Sequence, residues 1–526
     1  MSFIADITNV SVTPFTQQQI AHFLSADSAA ASTTFLNLFS QVAHCEWSIL
    51  LDTAGSKQSD GRFNIMAWNP SLMIRAAKGQ TQLIDAISNT SCTVNEAPFE
   101  ATEKYLHKQV AHIADTVDSQ FAHLPFLIGV AGMAGYDTGR FYETLPARAE
   151  DDYDTPDFAV GLYLQSIIED TKTGLFYYCS ANSSTQPDFS QPDFSQSSFS
   201  HVDFPDQSWL QTVNSNLAAQ NSINENTREQ GENRGRAESL KREEFTVTTP
   251  FASNLTKHEY CQRLSTIHEY LTAGDCYQVN MAQRFTAHYR GDFWTAYCRL
   301  RDTNQAPFSA YFHLPEGTIA SISPERFLSV KNGIVETKPI KGTRPRFTDK
   351  QRDEESANSL LNAEKDRSEN LMIVDLLRND ISKHCNPGTV NVPALFALES
   401  YEAVHHLVST VTGKLASEST PLDLLASAFP GGSITGAPKI RSMEIIDELE
   451  PHRRNIYCGS IFYMGCRQDM DSSICIRTVL AENNKLHCWA GGGIVLDSQA
   501  PDEYQETLDK VSKIIPVLAA FNEGNE

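Results

Sequence analysis

The stretch from 183 to 245 sets the first limit on what this chain can build. Pro-Asp-Phe-Ser-Gln occurs twice in tandem, at 187–191 and 192–196, and Asn, Gln, Ser, Glu and Arg dominate from Asn214 to Glu244. Such a composition buries too little apolar surface to offset the entropy of ordering, so the segment reads as a poorly ordered, low-complexity insertion. A five-residue repeat is also too short for a solenoid. Any core must come from the dense stretches on either side, 1–182 and 246–526. The 526 residues suffice for more than one domain or one large composite domain, and an apolar content of 41% supports a sizeable core.

Before the break the pattern mixes α and β. Residues 47–51, 63–68 and 80–87 read as strands, 126–135 as a buried strand, and 158–168 with 175–179 as a hairpin. Leu106, Val110, Ile113 and Val117 recur at three- and four-residue steps and predict a helix over 101–122. After the break, Thr256 caps a helix to Ala273 that Gly274 ends, and 291–303 is helical. Residues 276–286, 308–314, 318–322, 404–413, 459–464, 473–481 and 485–495 read as strands. A long helix broken near Asn362 is expected over 349–384, and another from Pro438 to about Glu450. The closing helix, 502–521, carries Tyr504, Leu508, Val511, Ile515 and Leu518 as one core-facing stripe.

A net charge of −23 argues against nucleic acid or an anionic membrane as partner, but leaves an anionic substrate open, since local cations decide that. The 11 cysteines never stand as Cys-x-x-Cys, which suggests free thiols in a reducing cytoplasm and no zinc site. Residues 1–15 lack the basic start and apolar core of a signal peptide, and the longest nearly apolar run, 124–135, is too short to span a bilayer.

Some stretches carry chemistry-bearing residues. After the β-branched run 333–337, Lys338-Pro339-Ile340-Lys341-Gly342-Thr343-Arg344-Pro345-Arg346 holds two prolines and a glycine, where a regular strand is a poor fit. Lys341 reads first as a solvated lysine at a strand end. Its apolar and glycine neighbours, with arginines close behind, offer the alternative of a nucleophile. Asp366 and Glu369 share a helix face, as do Glu503 and Glu506, so two helices can aim carboxylates at one point. Oxygen donors of this kind suit Mg²⁺, although acidic faces normally just meet water. Gly431-Gly432-Ser433-Ile434-Thr435-Gly436-Ala437-Pro438 runs into a helix and is either an anion site of backbone N–H groups or an ordinary turn.

These stretches, together with Ser323-Pro324-Glu325, Asp375-Leu376-Leu377-Arg378-Asn379-Asp380 and Ala490-Gly491-Gly492-Gly493-Ile494-Val495, resemble the signatures of the chorismate-utilising enzymes, in that family's order. The likeness covers the chain from about Leu255 to its end, and a weaker one lies at Leu50-Leu51-Asp52 and Gly135-Tyr136-Asp137. It implies an α+β fold of large antiparallel sheets packed together with helices outside, in which the N-terminal region contributes to the same body. It also implies amination of chorismate at C4 by glutamine-derived ammonia, giving 4-amino-4-deoxychorismate on the way to 4-aminobenzoate and folate. Lysine at 341 favours this over anthranilate synthesis, whose enzymes usually carry alanine there. The alternatives are that second amination, and a tryptophan-binding regulator without catalysis.

The resemblance also implies roles. Lys341 is the nucleophile, and Glu325 the general acid for the departing C4 oxygen. Glu369 and Glu506 lead the Mg²⁺ ligands, followed by Glu503 and by Asp366, where the family often has the longer glutamate. Gln278, Thr343, His406, Thr435, Gly436, Tyr457, Arg477, Gly493 and Lys510 match substrate-contacting positions. Gln278 stands where relatives that add water carry a lysine base, and an amide cannot deprotonate water. Arg477, at the end of an alternating strand pattern, suits a carboxylate clamp. Lys510 has a plain alternative in an ion pair with Glu506, and His406 in a structural role. Asp52, Tyr136 and Asp137 mark a tryptophan site. No Gly-x-Cys-x-Gly nucleophile elbow is present, so ammonia is expected from a separate glutaminase subunit in a heterodimer, or from solution.

Overall fold

The computed structural model describes residues 7–17, 31–56, 61–183, 243–400 and 404–522. The insertion read at 183–245 therefore lies, apart from its edges, outside the described residues.

Alternation at period two builds the fold. Ile49 and Leu50 of strand Ser48–Asp52 face different cores, and Phe312 and Tyr311, Ile319 and Ala320, and Leu480 and Val479 divide in the same way on neighbouring strands. A sheet that is apolar on both faces needs a cover on each. One face meets a second sheet through Ile49, Phe312, Ile319, Leu480 and Trp489 on one side and Met73, Ala131, Met133, Ala159, Tyr163 and Ile461 on the other. The opposite face takes helices Ala31–Phe39, Phe293–Asn304 and Ile515–Ala519, which bring Phe39, Trp294, Tyr297, Leu300 and Leu518. The chain is thus α+β, with helices outside large packed sheets.

Among the described residues the first sheet has thirteen strands and the second twelve, and neighbouring strands run antiparallel. Strands from both sides of 183–245 share each sheet. Ser48–Asp52 pairs with Phe308–His313 in the first, and Gly129–Ala134 with Ser460–Gly465 in the second.

The chain passes directly from one sheet into the other at several corners. Phe158–Tyr163 of the second sheet is followed after Leu164 by Gln165–Asp170 of the first. Thr318–Ser323 of the first gives way at Pro324 and Glu325 to Arg326–Lys331 of the second. Met470–Ile474 returns from the second through 475–477 to Thr478–Glu482 of the first. The latter two corners lie side by side: the Ile474 N–H donates to Glu325 O at 3.1 Å, and the Ile322 N–H to Arg477 O at 3.1 Å.

These corners correct two readings of the sequence. Alternation makes 158–168 one arm of a hairpin, yet the arm that pairs with Leu175–Ser183 is only Gln165–Asp170, and Ile7–Thr16 pairs with the other edge of Leu175–Ser183. It also makes 473–481 one strand. The Cys475 N–H instead bonds Gly459 O, the Ile476 N–H bonds Ile474 O at 2.8 Å, and Arg477 adopts a φ of 51°, which ends one ladder before the next begins.

The helix expected over 101–122 begins earlier, at Pro98–Ala101, widens into a π turn over Thr102–His107 and ends with Lys108–Ala111, although Leu106, Val110 and Ile113 are buried as their spacing implies. The closing helix divides into Ala500–Lys510 and Ile515–Ala519, because Pro516 has no N–H and its ring excludes a continuous helix. Lys350–Leu361 and Glu364–Ser382 break at Asn362 as read.

Candidate active site

Lys341 lies on strand Ile340–Pro345 at the edge of the second sheet. The stretch is a strand after all, but a bulged one. Lys341 pairs with Leu407 and Thr343 with His406, so Gly342 is an extra residue. Its φ is +78°, and a Cβ there would stand 2.7 Å from Leu360 Cδ1 and 2.9 Å from Asp366 Cγ. The bulge turns Lys341 and Thr343 relative to a regular ladder. Thr343 Oγ1 and His406 Nδ1 are 2.9 Å apart, and burial, with Arg477 adding to it, pushes the imidazole down to about 4.

Glu325 and Arg477 stand in the adjacent corners between the sheets. Burial raises the Glu325 carboxyl to about 7; Lys341, Lys510, a hydrogen bond from Ser433 and Arg477 each pull the other way. Arg477 is exposed, yet desolvation holds its guanidinium below its ordinary range against the pull of Glu325. A side chain both accessible and desolvated lines a cleft within the body of the protein. Arg477 makes no hydrogen bond or ion pair to a side chain among the described residues. It is a cation held ready for an anion.

The cleft has a second wall. Gln278 is fully buried, and neither its amide nitrogen nor its oxygen has a hydrogen-bond partner. It lies against Gly493, where an added Cβ would meet its Nε2 at 2.6 Å. Gly436, paired beside it, has a φ of +140° and would place a Cβ 2.1 Å from Gln278 O. The Thr435 hydroxyl is spent on Gly431 O at 2.9 Å, so only its backbone is left to a ligand.

The acidic helices meet as expected, with a changed order of merit. Asp366 is paired with Arg344 at 2.9 Å. Glu369 and Glu503, from different helices, each lie 3.9 Å from Lys365 Nζ. Burial raises the carboxyls of both, and neighbouring carboxylates add to it: Asp366 and Glu503 for Glu369, Glu506 for Glu503. Lys341 is in the field of Glu369 as well as of Glu325. Glu506 pairs with Lys510 at 2.7 Å, and Lys510 also donates to Gly491 O at 2.7 Å, so its plain ion pair and its nearness to Glu325 are both real. Among the described residues no three acidic, histidine or cysteine side chains converge closely enough to hold a metal as they stand. The oxygen-only donors of Glu369, Glu503 and Glu506, crowded enough to raise one another, nevertheless suit a hard cation.

Other expected residues lie elsewhere. Tyr457 is buried in the main core, with its ring parallel to Trp489 at 5.9 Å and 5.6 Å from the Arg454 guanidinium. Asp52, Tyr136 and Asp137 are not gathered into one site. Asp52 is held by Arg301, by the Tyr297 hydroxyl at 3.3 Å and by the Ala54 N–H, beside a cavity of about 100 Å³ between the sheets that Phe308 and Tyr463 also line. Tyr136 lies under Arg454, and Asp137 binds Arg140 and the Asn455 N–H. Their charges and rings were legible, but not that buried partners already hold both carboxylates, while the Tyr136 hydroxyl is buried without a hydrogen-bond partner.

Sequence reasoning missed Ser433, Lys365, Asn280 and Arg454. Ser433 stood inside the quoted glycine-rich loop. Lys365 and Arg454 stand four residues from Glu369 and Glu450, a spacing that signals only a surface ion pair. Their further partners Glu503, Ile434 and Asn280, and the Ser433 partner of Asn280, come from distant segments.

Residues 48–516 match the profile of the family described as chorismate binding enzyme. The aminodeoxychorismate synthase component 1 of Klebsiella aerogenes is 43% identical over 483 residues, 91% of this chain and 95% of that protein. Anthranilate synthase component 1 of Acetivibrio thermocellus is 32% identical over 497 residues, 94% of each. Among solved structures, anthranilate synthase component I from Streptococcus pneumoniae TIGR4 has a TM-score of 0.66 at 29% identity, covering 87% of this chain and 93% of that one. The menaquinone-specific isochorismate synthase of Escherichia coli shares the fold, with a TM-score of 0.63 at 15% identity over 98% and 95% of the two chains.

Proposed function

The chain belongs to the chorismate-binding enzyme family, and from that premise we propose that the cleft at the paired corners binds chorismate, with Lys341 as nucleophile and Glu325 as acid. The activity is the amination of chorismate to aminodeoxychorismate, for which relatives at 42–43% identity are named, and as their component 1 counterpart the chain works with a partner component. The finer reading is amination at C4, with ammonia from a separate glutaminase. The observation that carries it is a Glu325 carboxyl at about 7, ringed by Lys341, Lys510 and Arg477.

Chorismate is a dicarboxylate. Arg477 clamps one carboxylate bidentately, and the backbone N–H groups of the 431–436 loop receive the other. The amide of Gln278 completes its bonds on the bound substrate. The free amine of Lys341 forms a bond to C2 while the ring double bonds shift and the C4 oxygen leaves as water, taking the proton of Glu325. Ammonia then bonds to C4, the double bonds shift back, and the lysine departs with its electron pair restored. Holding the first nucleophile in position lowers the entropic part of the barrier, and occupation of C2 directs ammonia to C4. Glu369, Glu506 and Glu503 would hold Mg²⁺, which supplies positive charge that neutralises and fixes a substrate carboxylate. Tryptophan, where it binds, would take the cavity beside Asp52, and calorimetry with tryptophan tests that.

The deciding experiment is mass analysis of the product from chorismate, Mg²⁺ and an ammonium salt. Aminodeoxychorismate with pyruvate retained sustains the reading. Anthranilate with loss of pyruvate refutes it.

A further inference from the structure

Successive carbonyls of the glycine-rich loop are all tied down on one side. Ser433 O accepts from Asn280 Nδ2 at 3.1 Å, Ile434 O from Arg454 Nη1 at 3.0 Å, and Thr435 O from the Asn280 N–H at 2.9 Å. Arg454 Nη2 also donates to Asn280 O at 3.0 Å, which joins the ties into one unit. In a trans peptide the C=O and the following N–H point opposite ways. Fixing Ile434 O and Thr435 O therefore turns the N–H groups of Thr435 and Gly436 to the face away from Arg454. Ser433, in the same loop, reaches Glu325 with its hydroxyl.

Arg454 is built to hold still. It is 1% exposed, its Nε and Nη2 engage both oxygens of Glu450 at 2.9 and 2.6 Å, and its guanidinium lies 4.8 Å from the Tyr136 ring centre. Glu450 in turn accepts from the Ala282 N–H at 2.9 Å. A buried ion pair adds little net stability over a well-packed apolar pair, so the planar fork earns its burial through the geometry that it imposes.

We propose that Arg454 is a positioning residue: with Asn280 it holds the 431–436 loop so that the loop's N–H groups meet a substrate carboxylate and Ser433 meets Glu325. The inference rests on the reading of that loop as a carboxylate site.

The test uses the full chain and the variants Arg454→Lys and Asn280→Ala. Lysine keeps the charge opposite Glu450 but has no fork to bridge Ile434 O and Asn280 O. Alanine at 280 removes only the bond to Ser433 O and leaves the Arg454–Glu450 pair intact. Melting temperature, the Kd of chorismate by calorimetry with Mg²⁺ present, and the pH profile of ammonia-dependent kcat/KM are measured. The expected result is a folded protein whose chorismate Kd rises about ten-fold, the equivalent of roughly 1.4 kcal/mol. The alkaline limb of the profile moves to higher pH as Glu325 loses the Ser433 bond. Folded variants with the parent's Kd, or with a lower kcat and nothing else changed, overturn the proposal. If Arg454→Lys fails to fold, Asn280→Ala decides on the same criteria. A parent that binds no chorismate overturns this inference together with the functional reading; a parent that binds it as tightly as the variants overturns this inference alone.

Discussion

Glu325→Gln removes the acid while nearly preserving its shape. A carboxyl with an ordinary value of 4.5 is protonated in about one molecule in three hundred at pH 7, whereas at about 7 half the molecules hold the proton. Burial thus supplies roughly a hundredfold more acid at neutral pH. Above pH 7 the protonated fraction falls about ten-fold per pH unit, and kcat/KM, measured by product mass at fixed free ammonia, should fall with it. The glutamine variant should lose about 10²- to 10⁴-fold and show no such limb. Stability changes in the opposite sense. Because the folded carboxyl binds its proton more tightly than the unfolded one, the parent is most favoured below pH 4.5 and loses stability as pH rises through 7. Glutamine avoids that cost, so the variant should melt higher than the parent at pH 8, by about 1 to 3 kcal/mol of stability once water in the cleft is allowed for. A variant that keeps the alkaline limb, or turns over within about three-fold of the parent, refutes the acid role, since a lost general acid costs far more. One that melts lower at pH 8 refutes the electrostatic reasoning.

Lys341→Ala should lower turnover at least about ten-fold, or 1.4 kcal/mol of barrier, while still binding chorismate. In the parent, chorismate and Mg²⁺ without ammonia should leave an adduct on the Lys341 peptide; if peptide mass analysis finds none and the alanine variant keeps full turnover, Lys341 is only a cation. Glu506→Gln should shift the Mg²⁺ titration of activity to much higher concentration with the fold intact, and an unchanged titration rejects that ligand. Gly342→Ala should cost about 1–2 kcal/mol for its left-handed backbone alone and displace Lys341 through the contact with Leu360, so a variant with parental turnover and melting argues against the bulge as the device that aims the lysine.

Much of this arrangement was legible in the residues. Stripes and alternations predict the outer helices and most strands of both sheets, and the spacing of Asp366, Glu369, Glu503 and Glu506 predicts that two helices share an acidic focus. The corners were hidden, because alternation continues unbroken through 158–168 and 473–481 while the chain changes sheets; only distant partners such as Gly459 decide where one ladder stops. Strands Leu72–Ala77 and Asn391–Ser400 were also passed over, the second because its pairing with Val404–Lys414 is irregular. Arg454 read like its neighbours His452 and Arg453, since nothing local tells a buried fork from a surface cation.

The adjacent corners that carry Glu325 and Arg477 belong to both layers at once. A ligand gripped there bridges the layers, so its binding energy opposes their separation rather than the loosening of one loop. At a hundred times its Kd, such a ligand adds about 2.7 kcal/mol to global unfolding. Amide hydrogen exchange should therefore slow on chorismate binding along Thr318–Ser323 and Thr478–Glu482 of one layer and along Arg326–Lys331 and Met470–Ile474 of the other, with the substrate acting as a rivet through the sandwich.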